Sequence, residues 1–355
     1  MKKIALTGGG TAGHITPNLA LIPELKKRKF DIIYVGSREG MDKEIVEKKN
    51  IPFFGITADK LRRYLDVKNF LMPINVLKGI SEAKKILKEN KVDIVFSKGG
   101  FVAVPVVIAA SKLKIPVISH EADFTPGLAN KIAIPRSKKV CCNFEETLKY
   151  LKGKGVWTGC PIRQELLNGN KKRGLNFLGF DNDKPILFVT GGSLGAAYIN
   201  ILVRKNLDKL LENFNIVHSC GKGKLDKKIS RENYKQFEII TEELPDVLAA
   251  SEYVISRAGA NVLFELLALR KPNLLIPLST KASRGDQILN ANSFMKKNYS
   301  LVLLEEEQDK NPELFLKMID ELVAKKDSMI ASMKNATESD AISNICDIIE
   351  SQLTL

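Results

Sequence analysis

The sequence predicts an α/β protein made of two doubly wound parallel-sheet halves. Short β-branched runs alternate with amphipathic helical stretches, the signature of βαβ units. That alternation starts twice, each time as strand, glycine turn and helix. A length of 355 residues suits two domains of ordinary size.

In the first half, 3–7 reads as a strand, followed by a glycine loop and a helix over 17–28. A strand at 31–35 and a helix at 41–49 come next, and 92–97, 116–119 and 138–143 read as buried strands. The second half opens with a strand at 185–190, glycines at 191, 192 and 195, and a helix over 197–211. Strands at 215–219, 253–256, 273–277 and 300–304 follow, with helices at 261–269 and 286–297. The break is placed at Gly159-Cys160-Pro161, which gives domains at 1–159 and 160–338. The tail 339–355 carries an apolar stripe of Ile342, Ile345, Ile348, Ile349 and Leu353. Such a stripe needs a surface to cover, and it is expected to pack back on the first domain.

Composition narrows the class. With 44% hydrophobic and 27% charged residues, the chain is not disordered, collagen-like or a disulfide-stapled mini-protein. No stretch approaches the roughly 20 apolar residues of a membrane span. The first apolar run is too short for a secretory signal and ends in glycines, so a soluble or peripheral, cytosolic protein is expected. Fifty-five Lys and Arg against 41 Asp and Glu leave a net charge of +14. That excess fits nucleic acid, anionic lipid or a phosphorylated substrate, and fits equally a lysine-rich solvated surface. Cys141, Cys142, Cys160, Cys220 and Cys346 contain no C-x-x-C pair, which argues against a disulfide framework or a zinc site. Cys141 and Cys142 would point to opposite faces of a strand.

Four motifs carry chemistry. The loop Gly8-Gly9-Gly10-Thr11-Ala12-Gly13-His14 matches G-x-G-x-x-G between strand and helix. Glycines let a ligand approach the backbone, and free amides at the helix start favour an anion. A dinucleotide site would also need an acidic residue at the end of the second strand, where Val35-Gly36-Ser37 stands. His14 directly follows the loop, where a neutral imidazole can accept a proton; the alternative is a structural histidine. The second loop, Thr190-Gly191-Gly192-Ser193-Leu194-Gly195-Ala196, could cradle a phosphate with Ser193 as a hydroxyl donor, or simply make a tight turn. In Ser256-Arg257-Ala258-Gly259-Ala260-Asn261-Val262, small residues open a helix that then carries Glu265 among apolar neighbours. A lone buried carboxylate is costly, so Glu265 either faces solvent or accepts from ribose hydroxyls while the helix start holds a diphosphate. Finally, Ser119-His120-Glu121-Ala122-Asp123 ends a strand with titratable groups, making Glu121 and Asp123 candidates for catalysis. The structural alternative is a cap by Thr125 with Pro126 at the first helical position. A mixed basic and apolar segment, 60–74, reads as a packed helix hairpin or a membrane-surface patch.

Taken in order, these motifs resemble the MurG family of peptidoglycan N-acetylglucosaminyltransferases. The resemblance rests on 9–17, on His120-Glu121 with 125–131, on Gly159-Cys160-Pro161-Ile162-Arg163, on 191–196 and on Arg257-Ala258-Gly259-Ala260. It implies a GT-B type fold: two facing Rossmann-like domains with a central cleft. It also implies inverting transfer of N-acetylglucosamine from UDP-N-acetylglucosamine to the 4-hydroxyl of lipid I, without metal or cofactor. By the same resemblance Gly10, Thr11 and Ala12 line the first loop and His14 is the favoured base. Arg163 and Ser193 contact the donor, Ala260, Asn261 and Val262 lie against its diphosphate, and Glu265 lies on its ribose. Leu244 meets uracil, Gln287 reads sugar hydroxyls, and Asn290 follows at the expected spacing. Asp123 stands where many members carry Asn, and Asp286 where many carry Gln, which leaves the choice of base open. The implied partners are the two substrates, an anionic membrane surface and other cell-wall synthesis proteins, with no nucleic acid. The implied location is the cytoplasmic face of the cell membrane, as a peripheral protein. Readings left beside it are a nucleotide-dependent oxidoreductase with paired Rossmann domains, a basic module for nucleic acid or membranes, and a transferase with another lipid acceptor.

Overall fold

Seven parallel strands form one sheet and six form another, in the order β3-β2-β1-β4-β5-β6-β7 and β10-β9-β8-β11-β12-β13. The computed structural model describes residues 1–40, 42–58, 68–192, 194–280, 283–336 and 340–353, and for Ala12 and 68–73 the backbone alone. The chain divides into two compact units, Met1–Arg163 with Ser339–Leu355, and Gln164–Glu338.

The first unit runs β1 (Lys3–Thr7), α1 (Ala12–Lys27), β2 (Asp31–Ser37), α2 (Asp42–Glu47), β3 (Phe53–Ile56), α3 (Lys68–Glu89), β4 (Ile94–Ser97), α4 (Ala103–Lys112), β5 (Val117–Glu121), α5 (Leu128–Ala133), β6 (Lys139–Cys142) and β7 (Gly155–Trp157). Both faces of its sheet are covered, so consecutive strand residues enter different cores. Ile4 and Leu6 pack with α1 residues Leu21 and Leu25, whereas Ala5 packs with Leu87 of α3 and Val106 of α4. Cys141 and Cys142 divide in the same way, and both are buried.

The second unit begins with α6 (Gln164–Leu167), α7 (Lys171–Leu178), β8 (Ile186–Thr190), α8 (Ala197–Lys205), α9 (Leu207–Asn213), β9 (Asn215–Ser219) and β10 (Tyr234–Phe237). It continues with α10 (Leu244–Ala250), β11 (Tyr253–Ser256), α11 (Ala260–Ala268), β12 (Asn273–Leu275), α12 (Asp286–Lys296), β13 (Leu301–Val302), α13 (Glu305–Lys310), α14 (Leu314–Ala324) and α15 (Lys326–Lys334). One face of its sheet packs Leu187, Val189, Ile216 and Ile255 on Ile199, Leu202 and Val203 of α8 and Phe315 of α14.

The last helix, α16 (Ala341–Ser351), belongs to the first unit. Its Ile345, Cys346 and Ile349 join Leu21 and Leu25 of α1 in one core. Arg28 stitches the two helices: its guanidinium donates to Asp347 at 2.5 Å, Glu350 at 2.8 Å and Ser343 at 3.1 Å.

Three expectations change. The first helix starts at Ala12 and not at residue 17, so His14 stands in its first turn and Pro17 and Pro23 lie inside it. The stretch 197–211 is two helices, because the chain leaves helical geometry at Asn206 (φ −105°, ψ 12°). Strands β3, β7 and β10 were not foreseen; each is a sheet edge, where half the backbone is unpaired and the apolar signal is weak.

Candidate active site

In each sheet the strand order reverses beside its opening strand: β1 lies between β2 and β4, and β8 between β9 and β11. Loops leaving the carboxyl ends at such a point diverge and open a ligand crevice. In the first unit these are the glycine loop after β1 and the loop Lys98-Gly99-Gly100-Phe101 after β4. In the second they are the loop after β8 and the Arg257-Ala258-Gly259 turn before α11.

The first glycine loop is held from below. Asn18 donates its amide to the Thr7 carbonyl at 3.1 Å and to the Tyr34 hydroxyl at 3.2 Å, and Tyr34 donates to the Gly8 carbonyl at 2.6 Å. Asp42 is fully buried and accepts from the amides of Ser37 at 2.9 Å and Gly10 at 3.3 Å. Its carboxylate is therefore engaged by the protein's own backbone, which counts against the ribose ligand a dinucleotide enzyme needs. Gly10 has φ +88°, and a Cβ there would lie 2.2 Å from the Phe101 ring, so only glycine fits.

His14 stands over this loop. Its Nδ1 lies 3.3 Å from the Lys98 carbonyl. A carbonyl only accepts, so Nδ1 carries the proton and Nε2 keeps its lone pair. Burial of the ring, with the Lys98 charge beside it, lowers its pKa to about 4. The imidazole is thus neutral and a proton acceptor at physiological pH.

The strand-end carboxylates play different parts. Glu121 accepts from the Asn130 amide at 2.8 Å and from the main-chain N–H groups of Asp123 at 3.0 Å and Gly127 at 3.1 Å. Burial and the neighbouring Asp123 push its pKa up to about 7, opposed by these three donors. With its oxygens so occupied, Glu121 shapes the loop that carries Asp123. The alternative of a Thr125 cap gives way to Gly127, which stands at the N-cap of α5 and whose N–H is taken by Glu121. Asp123 is partly exposed at the rim of this loop.

In the second unit, Gly195 (φ +66°) is demanded by the fold, since a Cβ would sit 2.0 Å from the Cys220 carbonyl. Gly192 and Gly259 meet nothing within 4 Å at that position, so the space beside them is open. In α11, Leu263 and Leu266 are buried, while Asn261, Val262 and Glu265 are partly exposed on the other side. Residues three and four apart share a helix face, so Glu265 follows Asn261 and Val262 one turn on; Ala260 is buried at the start. Asn290 is buried and donates to the Ala258 carbonyl at 3.2 Å. The Gln287 carbonyl accepts from Leu278 N–H at 3.0 Å, so what this side chain offers a ligand is its amide N–H groups. Asp286 forms a two-pronged pair with Arg284, 2.7 Å on each prong. Leu244 opens α10, which Arg173 of α7 clamps through two bonds to Asp246. Arg163 ends the first unit, partly exposed. Ser193 and 59–67, the greater part of the basic and apolar segment, lie outside the described residues.

Sequence reasoning missed Asp42 and Lys98, and gave Asn130 and Arg257 a place in its motifs but no role of their own. Arg257 donates to the carbonyls of Ile276 and Pro277 and pairs with Glu305 at 2.5 Å, tying the turn before α11 to its surroundings. For Lys98 a signal was present: a buried strand ending in Lys-Gly-Gly repeats the strand-glycine signature of the loop after β1.

Comparison with known proteins places these units. Residues 4–142 match the glycosyltransferase family 28 N-terminal domain, and 186–348 the glycosyltransferase family 28 C-terminal domain. A UDP-N-acetylglucosamine–N-acetylmuramyl-(pentapeptide) pyrophosphoryl-undecaprenol N-acetylglucosamine transferase of Clostridium botulinum (strain Kyoto / Type A2) is 58% identical over 99% of this chain and 99% of its own. A Clostridium tetani protein of the same name is 56% identical over 100% of this chain and 99% of its own. Among solved structures, MurG of Acinetobacter baumannii shares the fold, with a TM-score of 0.76, 23% identity, and 99% of this chain and 100% of that one covered. The two Rossmann-like sheets, their ordered loops and this likeness along the whole length together make the chain a member of glycosyltransferase family 28, in its MurG branch of GT-B type enzymes.

Proposed function

We propose that this enzyme transfers N-acetylglucosamine from UDP-N-acetylglucosamine to the 4-hydroxyl of lipid I, the undecaprenyl-pyrophosphoryl-N-acetylmuramyl-pentapeptide, giving lipid II and UDP. The observation that carries this reading is 58% identity, over 99% of both chains, to a relative named for that transfer. In this reading the first unit binds the acceptor along Gly10, Thr11 and Ala12, with Asp123 at the rim. His14 takes the acceptor hydroxyl proton on Nε2 while the oxygen bonds to C1 of the sugar. The bond from C1 to the β-phosphate oxygen breaks, the configuration inverts, and UDP leaves with the electron pair. The second unit binds the donor. The amides at the start of α11 meet the growing diphosphate charge beside Ala260, Asn261 and Val262, which favours the transition state over the ground state. Glu265 accepts from ribose hydroxyls, Leu244 faces uracil, Gln287 and Asn290 read the sugar, and Arg163 and Ser193 complete the donor contacts. A turnover assay tests this: UDP release from UDP-N-acetylglucosamine is expected to depend on a lipid I analogue. Release that is indifferent to that acceptor would overturn the reading.

The same reading places the enzyme on the cytoplasmic face of the cell membrane, beside other cell-wall synthesis proteins. Among the described residues no helix is long and apolar enough to cross a membrane. What supports peripheral binding is α3, where exposed Ile74 and Leu77 share a helix stripe with exposed Lys78, Lys84, Lys85 and Lys88. Apolar side chains among headgroups and lysines over anionic lipid give an attraction that salt screens. Binding to phosphatidylglycerol-containing vesicles is expected to fall several-fold when salt rises from about 0.05 to 0.5 M. Sedimentation with vesicles measures it, and salt-independent binding would count against this surface.

A further inference from the structure

Lys98 is a buried basic side chain in the first unit that the proposed reaction leaves without a part. It follows β4 at the point where the sheet order reverses, and its side chain is fully buried. Its main-chain N–H donates to the Thr7 carbonyl at 2.8 Å, and its carbonyl accepts from His14 Nδ1 at 3.3 Å. Its Nζ lies 2.8 Å from Nδ1 of buried His120. His120 Nε2 faces the Gly159 carbonyl at 3.4 Å, which assigns the ring proton to Nε2 and leaves Nδ1 to accept from the lysine. One residue thus touches both imidazoles, through its backbone on one side and its side chain on the other.

We infer that Lys98 is a positioning residue for His14, a buried cation that holds the ring in its proton-accepting form. A buried ammonium is costly, and a protein keeps one where other charges offset it. Burial, the larger effect, lowers the pKa of Lys98, and Cys160, Glu121, Asp123 and Cys141, from β5, β6 and the loops beside them, act the other way and favour the charged lysine. Asp42, facing the glycine loop from α2, is engaged by the amides of Ser37 and Gly10, and the first turn of α1 contains no acid. The Lys98 charge therefore opposes protonation of His14 in the same direction as burial, the larger effect. The consequence is a base that stays unprotonated well into the acid range.

This inference rests on reading His14 as the base, and the experiment separates the two. The chain contains three histidines, so isotope-labelled imidazole signals can be assigned by replacing each in turn. In the intact protein His14 is expected to stay neutral, with the proton on Nδ1, from pH 8 down to pH 5. In Lys98→Met and Lys98→Gln its midpoint is expected to rise by about one pH unit or more. The glutamine keeps a donor towards His120, so it reports the loss of charge even if the methionine variant folds poorly. At pH 5 kcat/KM of both variants is then expected to fall about two-fold further below its neutral plateau than in the parent. A His14 midpoint unchanged in either folded variant overturns the inference. A midpoint that moves while the rate profile does not upholds it for Lys98 and removes His14 as the base.

Discussion

Replacing His14 by alanine is expected to lower turnover about 10²–10⁴-fold, the usual contribution of a positioned general base. Donor affinity is expected to change less than about two-fold, because His14 belongs to the first unit, whereas all the proposed donor residues except Arg163 belong to the second. The reasoning is local. The Lys98 carbonyl fixes the proton on Nδ1, so the lone pair needed for catalysis is on Nε2. Burial and the Lys98 charge lower the ring's pKa to about 4, so it is unprotonated at neutral pH. The acid limb of kcat/KM, which reports the free enzyme, is accordingly expected near pH 4 and not near 6.5. The limb of kcat is expected higher, since a bound pyrophosphate brings negative charge that favours the imidazolium. Steady-state rates with a lipid I analogue across pH 4–8 measure both. Alanine turnover equal to the parent would pass the role of base to Asp123, a partly exposed carboxylate in the loop after β5.

Glu265→Ala is expected to weaken UDP binding by roughly 1–3 kcal/mol, the range for losing a charged hydrogen-bond acceptor. The carboxylate sits partly exposed one turn after Asn261 and Val262, on the side of α11 opposite buried Leu263 and Leu266. From there it can reach a ribose only if the nucleotide's diphosphate lies at the start of the same helix. Calorimetric titration with UDP measures the loss, and Glu265→Gln, which keeps an acceptor oxygen, is expected to lose less. Equal UDP affinity in the parent and the alanine variant would remove Glu265 from the donor site.

Much of the fold could be read from the chain because parallel strands covered on both faces are short, apolar and β-branched. β8 and β11, both central, are of this kind. Edge strands are not: β10, Tyr234-Lys235-Gln236-Phe237, sets two adjacent polar residues between its aromatic ones and carries little signal. The helix start at Ala12 was missed because Pro17 reads as a first-turn residue, whereas the glycine loop already turns the backbone into the helix. In the candidate site, spacing picked out His14, Glu121 and Glu265. It could not reveal that Glu121 spends its oxygens on Asn130, Asp123 and Gly127. A carboxylate's partners depend on where the next loop folds back.

From its sequence alone the protein was determined to be two glycine-opened, doubly wound halves with the ordered motifs of one transferase family. Those features are local, written in strand and helix periodicity and in short runs of residues. Only the tertiary structure decided that β4 lies against β1, bringing Lys98 to His14 across 84 residues of chain. Strand order is a property of non-local packing, which local periodicity does not encode. The protonation of the site therefore follows from how the sheet is assembled.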